Sequence, residues 1–145
     1  MNIEKFNERL IAFDFKNEMV NANDLAKQYN KKPNDFLRLE STQAFIDAFK
    51  SDAVSNGITN FEPVITIKGN FSTGKSQGTW MHRILAYKFA AWLDPKIEVF
   101  VYRTFDAVAT EAKKISDQKL LEQQRQLDYF WDKEDRNDTY GPYDR

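Results

Sequence analysis

The sequence predicts an α+β fold with short antiparallel hairpins, packed helices and a long C-terminal helix. Near the N-terminus, Ile11, Phe13 and Phe15 alternate with other residues and are followed by a turn-forming KNE, which predicts a hairpin over residues 9–21. A second apolar run, VITI at 64–67, also has the length of a strand. After about residue 82 the apolar residues recur at three- and four-residue steps, which predicts helix almost throughout.

Three side chains mark expected helix starts. Asn21 and Ser41 can each cap a helix by accepting a backbone N–H bond, and the helix that follows Ser41 is expected to end near residues 55–57. Asp94 followed by Pro95 combines a capping carboxylate with the residue that best fits the first helical position. This last helix is predicted to be long and to end near Leu127.

Size and composition bound the possible classes of protein. A chain of 145 residues is long enough for one ordinary core. Because it has no cysteine and one histidine, disulfide scaffolds, thiolate sites and His-rich metal centres are excluded. No apolar run approaches the ~18 residues that a membrane span needs. We therefore expect no membrane association and a cytoplasmic location, in a bacterium or a host cell.

The charges are distributed unevenly along the chain. The formal net charge is only −1, which argues against a uniformly basic nucleic-acid binder. However, residues 63–93 contain no acidic residue, and this acid-free segment includes Lys68, Lys75, Arg83, Lys88 and the single histidine. From residue 111 to the C-terminus, nine acidic residues accompany seven basic ones. A local basic surface is therefore expected, together with an acidic-leaning tail.

The stretch GNFSTGKS at 69–76 matches the phosphate-binding pattern G-x-x-x-x-G-K-[ST]. A true phosphate loop needs a helix that begins at the Gly-Lys-Ser, because the phosphates bind that helix's free N–H groups. Here Gly78 and Thr79 fall in what would be the first turn, where both are unfavourable, and a magnesium-binding acid on a second strand is missing. The sequence instead favours a β-hairpin that joins strands at 63–68 and 78–81 and carries Lys75 at its tip.

Three stretches resemble a known family. From Gly78 the sequence runs GTWMHRILAYKFAAWLDPKIEVFVYRTF, VNANDL occupies 20–25 and FLRL occupies 36–39. In this order they resemble the signature of the KilA-N domain, a DNA-binding module of phages and large DNA viruses, over about residues 8–108. There are two departures: Asn23 stands where the family usually has Thr, and Arg83 stands where Pro often follows His.

The resemblance implies a compact winged-helix-like domain that binds double-stranded DNA, in a protein encoded by a phage or prophage. We expect this domain over residues 1–110, a helical extension over 111–128 and a flexible polar tail over 129–145. The apolar stripe of the extension is thin and shifts phase between Ile115 and Leu120. The sequence therefore leaves open whether this helix forms a coiled-coil homodimer or stays single.

The expected DNA contacts are a basic hairpin tip that tracks phosphates and a neighbouring helix that presents side chains to a groove. Each candidate has a structural alternative: exposed lysines are often only solubilising, His82 could bond a loop carbonyl, and Arg83 could pair with an acid from the last helix. The spacing of Trp80, Phe89 and Trp92 points these side chains inward and indicates core positions instead of base stacking. The candidate contact residues are Lys75, Ser76, Gln77, His82, Arg83 and Lys88, with Lys31, Lys32 and Arg38 on a second basic surface; Ser72 and Thr73 are additional neutral donors.

Two other classes of function compete with DNA binding. One is a protein-interaction adaptor or inhibitor whose DNA surface has decayed, which the net charge and the acidic tail favour. The other is the nucleotide hydrolase that GNFSTGKS suggests, and the context of that motif disfavours it. The sequence shows no paired carboxylates in an apolar setting and no nucleophile beside a base, so we expect neither an enzyme nor a cofactor.

Overall fold

The computed structural model describes residues 1–69 and 75–137, with side chains up to residue 131. Within these residues the chain forms five strands and five α-helices. The strands are β1 (Asn2–Phe6), β2 (Arg9–Asp14), β3 (Met19–Asn21), β4 (Val64–Ile67) and β5 (Gly78–His82). The helices are α1 (Ala22–Ala26), α2 (Pro33–Leu37), α3 (Glu40–Ser55), α4 (Arg83–Leu93) and α5 (Pro95–Asn137), and a 3-10 turn at Lys27–Tyr29 follows α1.

The five strands form one antiparallel sheet in the order β1-β2-β3-β5-β4. The predicted N-terminal hairpin is the β2–β3 pair, and β4 and β5 form the second predicted hairpin. β3 joins the two hairpins because Asn21 lies opposite Trp80 in β5. An α+β fold with a long C-terminal helix is confirmed.

The main core lies between one face of the sheet and the helices. Phe13, Leu25, Phe36 and Phe89 are each at most 2% exposed, and ring contacts such as Phe36–Phe89, at 5.1 Å between centroids, join α2 to α4. The first turns of α5 complete this core with three residues at helical spacing, which are Ile97, Val101 and Phe105. Burial of such side chains is the main source of the domain's stability.

The helix caps follow the sequence predictions with one exception. The Asn21 side chain accepts a bond from the Asp24 N–H, and Asp94 accepts one from the Lys96 N–H, as expected. The prediction that Ser41 caps α3 is wrong, because α3 already begins at Glu40 after an extended Leu39. The connection from α2 is too short to place Ser41 outside the helix.

Two further features differ from the expectations. β1 was not predicted, because its two apolar residues, Ile3 and Phe6, fall on opposite faces of the strand and four of its five residues are exposed. The predicted end of α5 near residue 127 is wrong, since this helix continues to Asn137. Its sequence beyond 112 is rich in good helix formers such as Lys, Gln, Glu and Leu, which support helix without a core.

By its internal contacts the chain divides between Asp106 and Ala107 into two compact units. In the second unit, residues 107–137 belong to α5 and are here called the helical extension. The extension exposes large apolar side chains, which include Leu120, Leu127 and Trp131. In the part of the chain that the structure describes, no helix is both long enough and apolar enough to cross a membrane.

Candidate nucleic-acid interface

The residues after the glycine-rich loop enter a strand and not a helix. Lys75, Ser76 and Gln77 are irregular, and Gly78 begins β5, which pairs with β4. The helix required for a nucleotide phosphate loop is therefore absent from residues 75–82, and the first helical residue is Arg83. Ser72 and Thr73, two predicted neutral donors, lie outside the described residues.

Two asparagines hold the base of this second hairpin. The Asn21 Nδ2 group donates to the Gln77 carbonyl at 3.0 Å and to the Ser76 hydroxyl at 3.1 Å, while its Oδ1 atom caps α1. Asn23 Oδ1 accepts from the Thr79 N–H at 2.7 Å. Asn21 is fully buried, and these three bonds satisfy both the Nδ2 and the Oδ1 atom of its amide in place of water. The entry to β5 is thereby fixed to the start of α1.

Gly78 lies between these two side chains. Its φ of +138° is a conformation that L-residues rarely adopt. A Cβ atom on Gly78 would also approach Asn23 Oδ1 at 2.9 Å and both terminal atoms of the Asn21 side chain at 3.0 Å. A glycine is required here for both reasons.

Lys75 lies against a carboxylate from the first hairpin. Its Nζ atom is 3.0 Å from Asp14 Oδ2, and the two side chains are only 19% and 12% exposed. Burial alone would raise the pKa of Asp14, but hydrogen bonds from Asn17 and Lys75 outweigh it and hold the pKa below its usual value. At neutral pH the positive charge of Lys75 is therefore partly neutralised by Asp14.

Glu18 makes a similar contact at the start of α4. Its Oε1 atom lies 2.6 Å from Arg83 Nε, and its Oε2 atom lies 3.6 Å from His82 Nε2. The hydrogen bond from Arg83 lowers the pKa of Glu18, and the same bond raises the pKa of the Arg83 guanidinium. Both groups stay charged, and Arg83 keeps about a third of its side chain exposed (35%).

His82 caps α4. Its Nδ1 atom accepts from the Ile84 N–H at 3.2 Å, and its ring packs edge-on against Phe49 and Phe61, with centroids at 5.2 and 5.4 Å. Burial lowers the pKa of His82, and an accepting Nδ1 requires the neutral ring. This role differs from both of the alternatives considered for His82 above, a phosphate contact and a bond to a loop carbonyl.

The remaining candidates lie away from the hairpin base. Lys31 donates to the Trp92 carbonyl at 3.2 Å and lies 4.6 Å from the centre of the Trp92 ring, so it also closes the C-terminal end of α4. Arg38, at the C-cap position of α2, pairs with Asp35 in that helix. Lys32 is exposed at the N-cap position of α2. Lys88 is exposed on α4, with its ammonium 5.4 Å from the Phe45 ring centre.

Comparison with known proteins identifies the family. The KilA-N domain profile matches residues 4–111 of the chain, which is well over half of it. The chain belongs to the KilA-N domain family. Protein kilA of Escherichia phage P1 is 29% identical over 76 residues, which cover 52% of this chain and 24% of the phage protein. The matched region thus spans about a quarter of that relative's length. No solved structure matches the chain significantly.

KilA-N is a DNA-binding domain family found in phages, and it is not a known enzyme family. The contacts described above join the two stretches of this chain that resemble the family's signature. The VNANDL stretch supplies Asn21 and Asn23, and these side chains bind the backbone around the Gly78-Thr79-Trp80 stretch. The two departures are both accommodated: Asn23 supplies the acceptor for the Thr79 N–H, and Arg83 pairs with Glu18.

The structure of this KilA-N domain therefore brings some of the candidate residues together and not others. Lys75, Ser76, Gln77, His82 and Arg83 lie on or beside β5 and the start of α4. The residues that sequence reasoning missed are Asp14 and Glu18, the acidic partners of this group. No local pattern indicates them, because each is separated from its partner by about sixty residues of chain.

Proposed function

We propose that this chain binds double-stranded DNA through the β4–β5 hairpin and the adjoining start of α4. The observation that carries the proposal is that the acid-free segment forms these consecutive elements within a domain of a DNA-binding family. Lys68 and Gln77 are exposed on either side of the hairpin connection, and Lys88 is exposed on α4. Phosphate contacts from such residues dominate the nonspecific affinity of a DNA-binding protein.

In this proposal the hairpin tracks the phosphate backbone in the manner of a wing, and α4 faces a groove. Lys75 and Arg83 supply cationic contacts, and Ser76 and Gln77 supply neutral ones. His82 acts through the cap of α4, which orients Arg83 next to it. Lys32 and Arg38 form a second contact surface with Lys31, whose bond to Trp92 keeps it close to the end of α4.

A gel-shift titration with random-sequence duplex DNA tests this proposal. We expect Arg83→Glu to weaken binding by at least about tenfold, and Lys75→Ala to weaken it less, since the first substitution reverses a charge and the second only removes one. Each lost phosphate contact should also reduce the slope of log affinity against log salt by about one. Wild-type binding that does not change with salt would contradict the proposal.

Two variants serve as matched controls. Lys5→Ala removes a lysine that is also ion-paired, to Glu8 at 3.1 Å, but on the edge strand β1. Arg125→Glu reverses an arginine that is paired with Glu122 in the helical extension. If these two variants weakened binding as much as the hairpin variants, the effect would reflect overall charge and not the proposed surface.

A protein-interaction adaptor or inhibitor is the second candidate function, and one specific observation favours it. Asp14 pairs with Lys75 and Glu18 pairs with Arg83, and these carboxylates lower the net charge of the proposed DNA surface. An adaptor would retain its partner after the Lys75→Ala and Arg83→Glu substitutions. The same titration therefore separates the two functions.

If the chain binds DNA, its proposed role is regulation of phage or host transcription.

We also propose that the helical extension pairs two copies of the chain as a coiled coil. Leu120, Leu127 and Trp131 follow each other at steps of seven and four residues, and each is more than half exposed (61%, 54% and 62%). Sedimentation of the full chain should give the mass of a dimer, and Leu120→Asp with Leu127→Asp should give that of a monomer. Gln123→Asp is the control on the same helix and should leave the dimer intact. A monomeric wild type overturns this proposal.

A further inference from the structure

Glu18 contacts the start of α4 through its backbone and its side chain together. The Glu18 carbonyl accepts from the Arg83 N–H at 2.8 Å, and its carboxylate accepts from Arg83 Nε at 2.6 Å. The second carboxylate oxygen faces His82 Nε2 at 3.6 Å. One residue of the β2–β3 turn therefore bonds both the main chain and the side chain of Arg83.

The backbone of Glu18 is itself unusual. Its φ of +58° lies in the left-handed region, which is unfavourable for a residue with a Cβ atom. Asparagine or glycine would fit this turn position better, so the turn alone does not explain a glutamate here. From this conformation the Glu18 side chain reaches Arg83 Nε at 2.6 Å.

The Glu18 contact occupies only part of the Arg83 guanidinium. Glu18 binds the Nε–H. This bond, and to a lesser extent Tyr87 one turn along α4, raises the pKa of the Arg83 guanidinium. Tyr87 is in turn fixed by ring contacts with Tyr102 at 4.8 Å and Phe105 at 6.1 Å. An arginine supported in this way is oriented before it meets a ligand, and its planar group suits bidentate contact with a phosphate.

We propose that Glu18 is a positioning residue, which orients Arg83 for contact with a DNA phosphate although its own charge repels DNA. This inference rests on the proposed function and extends it to a residue that does not itself contact phosphate. It predicts the direction in which DNA affinity changes when the carboxylate is removed. Charge alone predicts that removal of a carboxylate strengthens DNA binding, whereas loss of a positioning residue weakens it.

Glu8 offers a closely matched control. Like Glu18, it is a glutamate with a left-handed backbone, at φ +67°, and it pairs with a cation, Lys5, at 3.1 Å. Its side chain is 87% exposed and lies in the β1–β2 turn. Glu8→Gln and Glu18→Gln therefore remove the same charge from similar conformations, and only the second removes a contact with Arg83.

The test compares these variants with the full-length wild type in fluorescence-anisotropy titrations on a random-sequence duplex. We expect Glu18→Gln to weaken binding by roughly three- to tenfold and Glu8→Gln to leave it unchanged or slightly stronger. Arg83→Lys, which keeps the charge and loses the Nε–H, should weaken binding about as much as Glu18→Gln. The double variant Glu18→Gln/Arg83→Lys should bind DNA no more weakly than either single variant, because both substitutions remove the same Glu18–Arg83 interaction.

A second measurement reports on Arg83 directly. In wild type the Arg83 Nε–H should give a slowly exchanging NMR signal without DNA, and Glu18→Gln should remove it while circular dichroism stays the same. If the wild type binds DNA and Glu18→Gln binds it equally well or more tightly, the inference about Glu18 is overturned and the proposed function stands. Wild type that binds no DNA overturns the proposed function, and the inference with it.

Discussion

Replacing Gly78 with alanine is expected to destabilise the domain by about 3–5 kcal/mol. The backbone at φ +138° excludes a side chain on its own account. The new Cβ atom would also meet Asn21 and Asn23 at 2.9 to 3.0 Å, and neither can move away without breaking its bonds to residues 76–79. Urea unfolding followed by tryptophan fluorescence measures the change.

Gly57→Ala is the control for this variant. Gly57 also has a left-handed backbone, at φ +80°, but nothing lies within 4 Å of the position of its Cβ atom. We expect a loss of only about 1 kcal/mol, from the backbone conformation alone. If Gly78→Ala cost no more than Gly57→Ala, the close approach of the two asparagines would not hold in solution.

Asn21→Ala is expected to destabilise the domain by about 2–4 kcal/mol, the second largest effect. Loss of the cap of α1 costs about 1 kcal/mol, and loss of the part-buried bonds to Ser76 and Gln77 adds about 1–3 kcal/mol. Asn21 itself is fully buried, so the substitution also leaves a space in the interior. Thermal unfolding followed by circular dichroism should show a clear fall in the midpoint.

Two further substitutions separate the contributions at this site. Asn21→Asp keeps an acceptor for the Asp24 N–H but directs a carboxylate oxygen at the Gln77 carbonyl, so it should still be strongly destabilising. Asn56→Ala removes an exposed asparagine whose Nδ2 group donates to the Asp52 carbonyl at 2.8 Å, and should cost well under about 1 kcal/mol. An Asn21→Ala variant as stable as Asn56→Ala would contradict the role given to the buried amide.

The sequence predicted those elements whose signals are local. The Asn21 cap, the Asp94-Pro95 helix start and both hairpins each depend on a few adjacent residues, and each was predicted correctly. The start of α3 was missed because Ser41 satisfies a capping pattern that the short connection from α2 overrides. Local propensity is a weak guide where tertiary connections decide the boundary.

The candidate site was predictable only in part, because its electrostatics are long-range. The acid-free segment shows where basic residues concentrate along the chain, but the carboxylates of Asp14 and Glu18 come from the other hairpin. A linear charge pattern cannot show that the sheet order places β3 beside β5. The same holds for Lys31, whose bond to Trp92 joins positions 61 residues apart.

The buried amide of Asn21 also constrains how the second hairpin can move. Any hinge motion at the base of the hairpin would break the bonds to residues 76 and 77 and, at the same time, uncap α1. Because one side chain serves both elements, the strand and the helix must open cooperatively or not at all. We infer that residues 76–79 at the base of the hairpin are already ordered before any ligand binds, so that ordering them adds little to the entropic cost of association.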